Sequence, residues 1–191
     1  MKNYNPDTTD SSVVLFTEVD ENDNILGSVS RETCHNETTK PWHRTIHCYI
    51  FFTDWKLILS QRSMSKDTAP GEWTVSVGGH VRYGSSYEDQ AKKCSFKNNL
   101  FSPLIQIDKL KVDYGSEREM IAIFAGIANS FPPIDPNQVL QFKTFDLDTL
   151  VKDFTEGKFD LSGGSRDTFK HVIETGTLLE FYKQHVKNYS I

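Results

Sequence analysis

Three observations predict an α/β protein built on a mixed sheet. Segments dense in β-branched and aromatic residues outnumber helical ones, and they enclose a single mid-chain helix. The 191 residues fit the size of one domain, and a composition of 37% hydrophobic and 12% aromatic residues supplies a full core and excludes a disordered chain.

Taken in order, residues 1–11 lack periodicity and read as a loose tail, residues 12–160 as the body, and residues 161–191 as a C-terminal helix packed on the same domain. Val13 to Val19 is β-rich, Asp20 to Asn24 is a turn cluster and ILGSVS resumes the extended pattern, which predicts an opening hairpin. Thr45 to Phe52 and Lys56 to Ser63, joined at Thr53-Asp54, read as a second pair of strands; Pro70-Gly71 then breaks the chain before WTVSV. Ser85 and Glu88 have capping-box spacing, so a helix is expected from about 86 to 98 with Tyr87, Ala91 and Cys94 on its apolar face. Ile105 to Tyr114 alternates, whereas Met120 to Ala128 is apolar throughout, as a strand buried on both faces must be. The Pro132-Pro133 group reads as a surface loop, Phe145 to Phe154 as a short helix, and Ser165 to Lys187 as an amphipathic helix hinged on Gly163-Gly164.

Charge narrows the partners. Lys and Arg total 21 against 26 Asp and Glu, a net charge of −5, so no global basic field attracts nucleic acid or anionic lipid. Met120 to Ala128, the longest apolar run, is about half of the ~20 residues a bilayer span requires, and no membrane partner is expected. The first residues lack the apolar stretch of a secretory signal, and Cys34, Cys48 and Cys94 form no C-x-x-C pair. The expectation is a cytoplasmic protein whose thiols are small core residues.

Gln61 to His80 is the most informative stretch. It joins Arg62 and Lys66 to a Pro-Gly turn, a Trp-bearing strand and a Gly-Gly-His end; glycine lets backbone N–H groups approach an anion, and the two cations suit phosphate oxygens. The bland alternative is an ordinary Gly-Gly turn.

With its neighbours this stretch resembles the isopentenyl-diphosphate isomerase-like branch of the Nudix superfamily. The resemblance runs through VDENDNILGSVSRE (Val19 to Glu32), WHRTIH (Trp42 to His47), SKDTAPGEWTVSVGGHVRYG (Ser65 to Gly84) and EREMIAIFAG (Glu117 to Gly126), so it covers about residues 13–128. It implies a Nudix fold, with a mixed β-sheet sandwiched between helices. The superfamily box, G-x5-E-x7-R-E-U-x-E-E-x-G-U, presents Mg²⁺-binding carboxylates on a helix. Counted from Gly79, its first Glu falls on Ser85, its R-E-U triplet on Lys93-Cys94-Ser95 and its E-E pair on Lys97-Asn98, so every box carboxylate is missing. The isomerase branch has a second metal site of three histidines and two glutamates, and the matching residues here are His35, His43, His80, Glu117 and Glu119. Such a mixed set suits Mg²⁺, Mn²⁺ or Zn²⁺. Singly, each would pass for an ordinary polar residue.

Arg31, Arg62 and Lys66 match the positions that grip the substrate diphosphate. The isomerase acid, a Cys before Gly-His, is replaced by Gly78, and the pocket Trp has no counterpart in FDLSGGSRD (Phe159 to Asp167). His47, His171 and His185 match no functional position. The implied function is binding of a metal and a small-molecule diphosphate with Nudix catalysis lost or strongly reduced. The alternatives are a divergent metal-dependent hydrolase or isomerase with Glu119 as catalytic base, and a purely structural use of the fold at a protein interface.

Overall fold

The computed structural model describes residues 14–97 and 104–186, apart from 37, 53, 55, 114 and 116. The tail at 1–11, Thr53, Tyr114 and Asn98 to Leu100 lie outside this set, as do the side chains of Cys94 and Lys97. Cys34 and Cys48 are buried free thiols. Among the described residues no helix is long and apolar enough to cross a membrane.

The spine of the sheet is β3 (Trp42–Phe52), whose run of Ile, Tyr and Phe favours a pleated, buried conformation. It pairs in parallel with β8 (Arg118–Ala128) over its whole length, from Trp42↔Arg118 to Phe52↔Ala128, and β7 (Ile105–Asp113) closes that side antiparallel to β8. Its other edge is shared by three partners in succession. The hairpin of β1 (Leu15–Val19) and β2 (Ile25–Ser30) touches it at Glu18↔His43. β6 (Val77–His80) pairs with Thr45 to Cys48, and β4 (Leu57–Arg62) with Ile50 and Phe51. β4 carries the sheet on to β5 (Trp73–Thr74) and β9 (Val139–Phe145).

Successive side chains of a strand face opposite ways, and here parity sorts the core. Ile46, Cys48 and Ile50 pack with Ala122, Phe124 and Ala128 of β8 under α2 (Tyr87–Lys97), through Tyr87 and Ala91. Tyr49, Phe51, Ile121 and Ile123 instead pack with Leu150 of α3 (Leu147–Thr155), Phe169 and Val172 of α4 (Gly163–Glu174), and Leu178 and Phe181 of α5 (Thr177–Phe181). The sheet is therefore sandwiched between helices. The same parity puts His43, Thr45 and His47 on the Tyr49 and Phe51 face, where Thr45 and His47 line an open cleft instead of core.

Several elements differ from the sequence reading. Val139–Phe145 is a strand, because its half-exposed edge position asks for little apolar character; α3 starts only at Leu147, capped by Asp146. A four-residue helix α1 (Arg31–Cys34), capped by Ser30, follows β2. The reciprocal cap of α2 is Ser86 with Asp89, not Ser85 with Glu88: Asp89 N–H donates to Ser86 Oγ at 3.0 Å and Ser86 N–H to Asp89 Oδ2 at 3.2 Å. The terminal helix is broken at Gly176, whose φ of 77° no side-chain-bearing residue adopts easily, and Gly163-Gly164 opens α4 rather than hinging it.

Candidate metal centre and cleft

His43 lies at the start of β3, in register with Glu119 of β8. His80 ends β6 opposite Thr45, and Glu117 immediately precedes β8. Three chain segments thus bring His43, His80, Glu117 and Glu119 together, with one ligand atom from each lying within 4.8 Å of all the others. His43 is fully buried, and Glu117 and Glu119 are 6% and 5% exposed. Phe16 of β1 stacks flat on His80 at 4.2 Å between ring centroids, and the His43 and His80 rings lie 5.2 Å apart.

The hydrogen bonding of His43 decides what the cluster can hold. Its Nδ1 lies 3.2 Å from the carbonyl oxygen of Pro41, which can only accept, so the proton sits on Nδ1 and Nε2 presents a lone pair. That nitrogen faces Glu117 Oε2 at 3.7 Å and Glu119 Oε1 at 3.8 Å, is buried, and makes no hydrogen bond. Burial, reinforced by His80, pushes the His43 pKa down to about 4, so the ring is neutral at neutral pH. The His43 lone pair and the two carboxylates converge on one point, an arrangement that a cation satisfies.

His35, expected as a fifth ligand, caps the C-terminus of α1 beside this set: its Nδ1 lies 3.1 Å from Glu117 Oε1, and its Nε2 is buried without a hydrogen bond. Its pKa is also lowered to about 4, by burial first, against the opposing pull of Glu117. Burial and the Glu117 and Glu119 carboxylates push the neighbouring Cys34 thiol up to about 12, so without a metal it stays protonated at neutral pH.

The cluster opens into a cleft of about 1120 Å³, also lined by Arg31, Arg62 and Lys66. Arg31 pairs with Asp67 at 2.9 Å, and Lys66 Nζ donates to Gln138 Oε1 at 2.8 Å. Arg62 is committed to the loop that follows it: Nη2 donates to Thr68 O at 2.6 Å and Thr68 Oγ1 at 2.8 Å, and Nε to Thr68 O at 3.0 Å. It therefore shapes the cleft wall as well as charging it. Sequence reasoning missed Thr45, His47, Gln90 and Ser162 in this lining. The strand period from His43 was the available signal for the first two. Thr45 Oγ1 and Gln90 Oε1 are buried without a hydrogen bond.

No known protein-family profile matches the chain. The isopentenyl-diphosphate delta-isomerases of Salmonella heidelberg and Salmonella paratyphi A are 27% identical over 157 residues, covering 75% of this chain and 82% of theirs. Among solved structures, a Deinococcus radiodurans protein superposes with a TM-score of 0.58 at 19% identity, covering 78% of this chain and 93% of that one. The MutT protein of Methanosarcina mazei gives 0.58 at 14% identity, covering 72% and 96%. The Nudix domain of Shewanella oneidensis NrtR, complexed with ADP ribose, gives 0.52 at 15%, covering 69% and 86%. The fold is a Nudix fold, and it carries a candidate metal-coordinating His/Glu cluster.

Proposed function

We propose that this chain is an isopentenyl-diphosphate isomerase-like Nudix protein that binds a divalent cation through His43, His80, Glu117 and Glu119, with His35 alongside, and a diphosphate compound in the adjoining cleft. The observation that carries the reading is the buried lone pair of His43 Nε2 facing two carboxylates without a hydrogen bond. A bound cation would supply charge neutralisation for diphosphate oxygens. Arg31 and Lys66 can exchange their present partners for a polyanion, while Arg62 holds the loop that carries Lys66.

Box-type hydrolysis is lost or strongly reduced in this reading. Lys93 stands where the box has its Arg, the box glutamate positions carry no carboxylate, and Asp89, the acid one turn earlier, is engaged in capping α2. Glu119, buried at the centre of the cluster, keeps a second reading open, in which it acts as base in a divergent hydrolase or isomerase.

Metal content after purification, Mn²⁺ and Zn²⁺ titration calorimetry, and phosphate release from nucleotide and isoprenoid diphosphates test both readings. Tight metal binding that His43→Ala abolishes, with no phosphate release or isomerisation, is the expected result. Turnover lost in Glu119→Gln would establish the second reading, and wild-type protein that binds neither metal nor diphosphate would sink both.

A further inference from the structure

Two polar side chains of the cleft belong neither to the metal cluster nor to the three cations, and both stand on β3. Thr45 and His47 follow His43 at alternate positions, so one face of the strand presents three polar groups in a row, about 6.6 Å apart at the backbone. His80 of the cluster opposes Thr45 and Gly78 opposes His47, so the row leads away from the metal residues. Thr45 is 2% exposed and lines the cleft, yet its Oγ1 is buried without a hydrogen bond. A buried hydroxyl left in that state is costly, and a hydrogen-bonding ligand removes the cost.

His47 supplies a second, separate observation, a fixed tautomer. Thr168 Oγ1 donates its one proton to the carbonyl of Ser165 at 3.3 Å, so its lone pairs receive the Tyr49 hydroxyl and His47 Nδ1, each at 2.9 Å. Nδ1 therefore carries the ring proton and Nε2 a lone pair, in a ring that burial keeps neutral. The edge of an imidazole opposite Nδ1 is the Nε2–Cδ2 bond. Exposed Gly78 borders that edge, and even a Cβ there would come no nearer to Cδ2 than 3.6 Å. His47 lines the cleft, and no described residue hydrogen-bonds to its Nε2. A lone pair repels phosphate oxygens, so the group that sits against it must be a hydrogen-bond donor.

The geometry points to a ligand whose carbon portion carries a hydroxyl next to the diphosphate: the Thr45 hydroxyl donates to a diphosphate oxygen, and His47 Nε2 accepts from the ligand O–H. This rests on the metal and diphosphate reading of the same cleft. It narrows that reading to hydroxylated diphosphates, of polyol or sugar type, and sets aside a plain hydrocarbon chain.

Calorimetry in the presence of Mn²⁺ tests the assignment with matched probes: 2-hydroxyethyl and 3-hydroxypropyl diphosphate against ethyl and propyl diphosphate. Wild type should bind at least one hydroxylated probe about fivefold tighter than its plain counterpart, the effect of one hydrogen bond to a buried acceptor. His47→Asn keeps a polar group for Thr168 and has nothing in the place of Nε2, so it should erase that preference without weakening the plain probes. Thr45→Val should weaken all four about tenfold, since it removes a donor to a charged oxygen. Nitrogen magnetic resonance of the wild-type ring, without metal or ligand, should show Nδ1 protonated and Nε2 bare. Equal affinity for plain and hydroxylated probes, a preference that persists in folded His47→Asn, an inert Thr45→Val, or a ring protonated on Nε2 would overturn the assignment and leave diphosphate binding standing. Protein that binds none of the probes would overturn the diphosphate reading, and this assignment with it.

Discussion

At the scale of single residues, the buried histidines couple stability to acidity. Burial lowers His35 and His43 to about 4 and His47 to about 3, against about 6.5 in an unfolded chain. Between those values the unfolded state binds more protons than the native one, so stability falls as pH drops below about 6.5; above it these groups contribute no slope. Thermal melts of metal-free protein should show Tm steady from pH 8 to 7 and declining from pH 6.5 to 5, ahead of the main carboxylate range. A flat profile down to pH 5 would contradict the burial argument. Arg62 makes a second case. Its guanidinium holds Thr68 carbonyl and hydroxyl oxygens at the cleft wall, so Arg62→Ala removes both a cation and a loop support. Diphosphate affinity should drop by roughly 1.5–3 kcal/mol in calorimetry; an unchanged Kd would remove Arg62 from the binding surface.

Residue types were the legible part of the site, and their commitments were not. His43, His80, Glu117 and Glu119 could be singled out because similar residues recur in order in a known family. That Arg62 is spent on loop carbonyls and that His35 leans on Glu117 depends on side-chain geometry that no spacing encodes. His47 matched no family position and was passed over, although strand period alone puts it on the face of His43.

Among the elements, the junction of β3, β4 and β6 is the most exposed to a single change. Ser76, just before β6, accepts from Ile50 N–H at 2.8 Å and donates to the carbonyl of Ile58, bridging β3 and β4 where β6 has ended. Ser76→Ala leaves the Ile50 amide buried and unpaired, and should cost about 1–3 kcal/mol in urea unfolding; a loss below about 0.5 kcal/mol would mean that the strands close over the gap. Element type was easiest to read where apolar character was continuous, as in Met120 to Ala128, and hardest at the edge. β9 alternates weakly because only part of it is covered, and α1 is too short to show a period.

For the whole molecule, the C-terminal segment is core, not appendage. Phe169, Val172, Leu178 and Phe181 share one cluster with Tyr49, Phe51 and Ile121, and Ser162 N–H donates to Trp73 O at 2.8 Å. Each buried aromatic or large aliphatic side chain removed costs about 2–5 kcal/mol, so losing four removes about 8–20 kcal/mol, as much as the ~5–15 kcal/mol that holds a domain together. A chain ended at residue 160 should bind a hydrophobic dye and unfold without a cooperative transition. A sharp melt in that truncated chain would show that residues 12–160 fold alone.

The parity of β3 has a bearing on how this sequence tolerates change. One strand writes two messages in alternate letters: Ile46, Cys48 and Ile50 serve only the packing under α2, while His43 faces the His/Glu cluster and His47 the cleft. A saturation scan of positions 43–50, scored separately for abundance and for ligand binding, should give two interleaved combs. Losses of abundance should concentrate at 46, 48 and 50 and at the core residue Tyr49, and losses of binding at retained abundance should concentrate at 43 and 47. An insertion or deletion of one residue would exchange the combs and erase both messages together, so the segment can drift in its letters but not in its length.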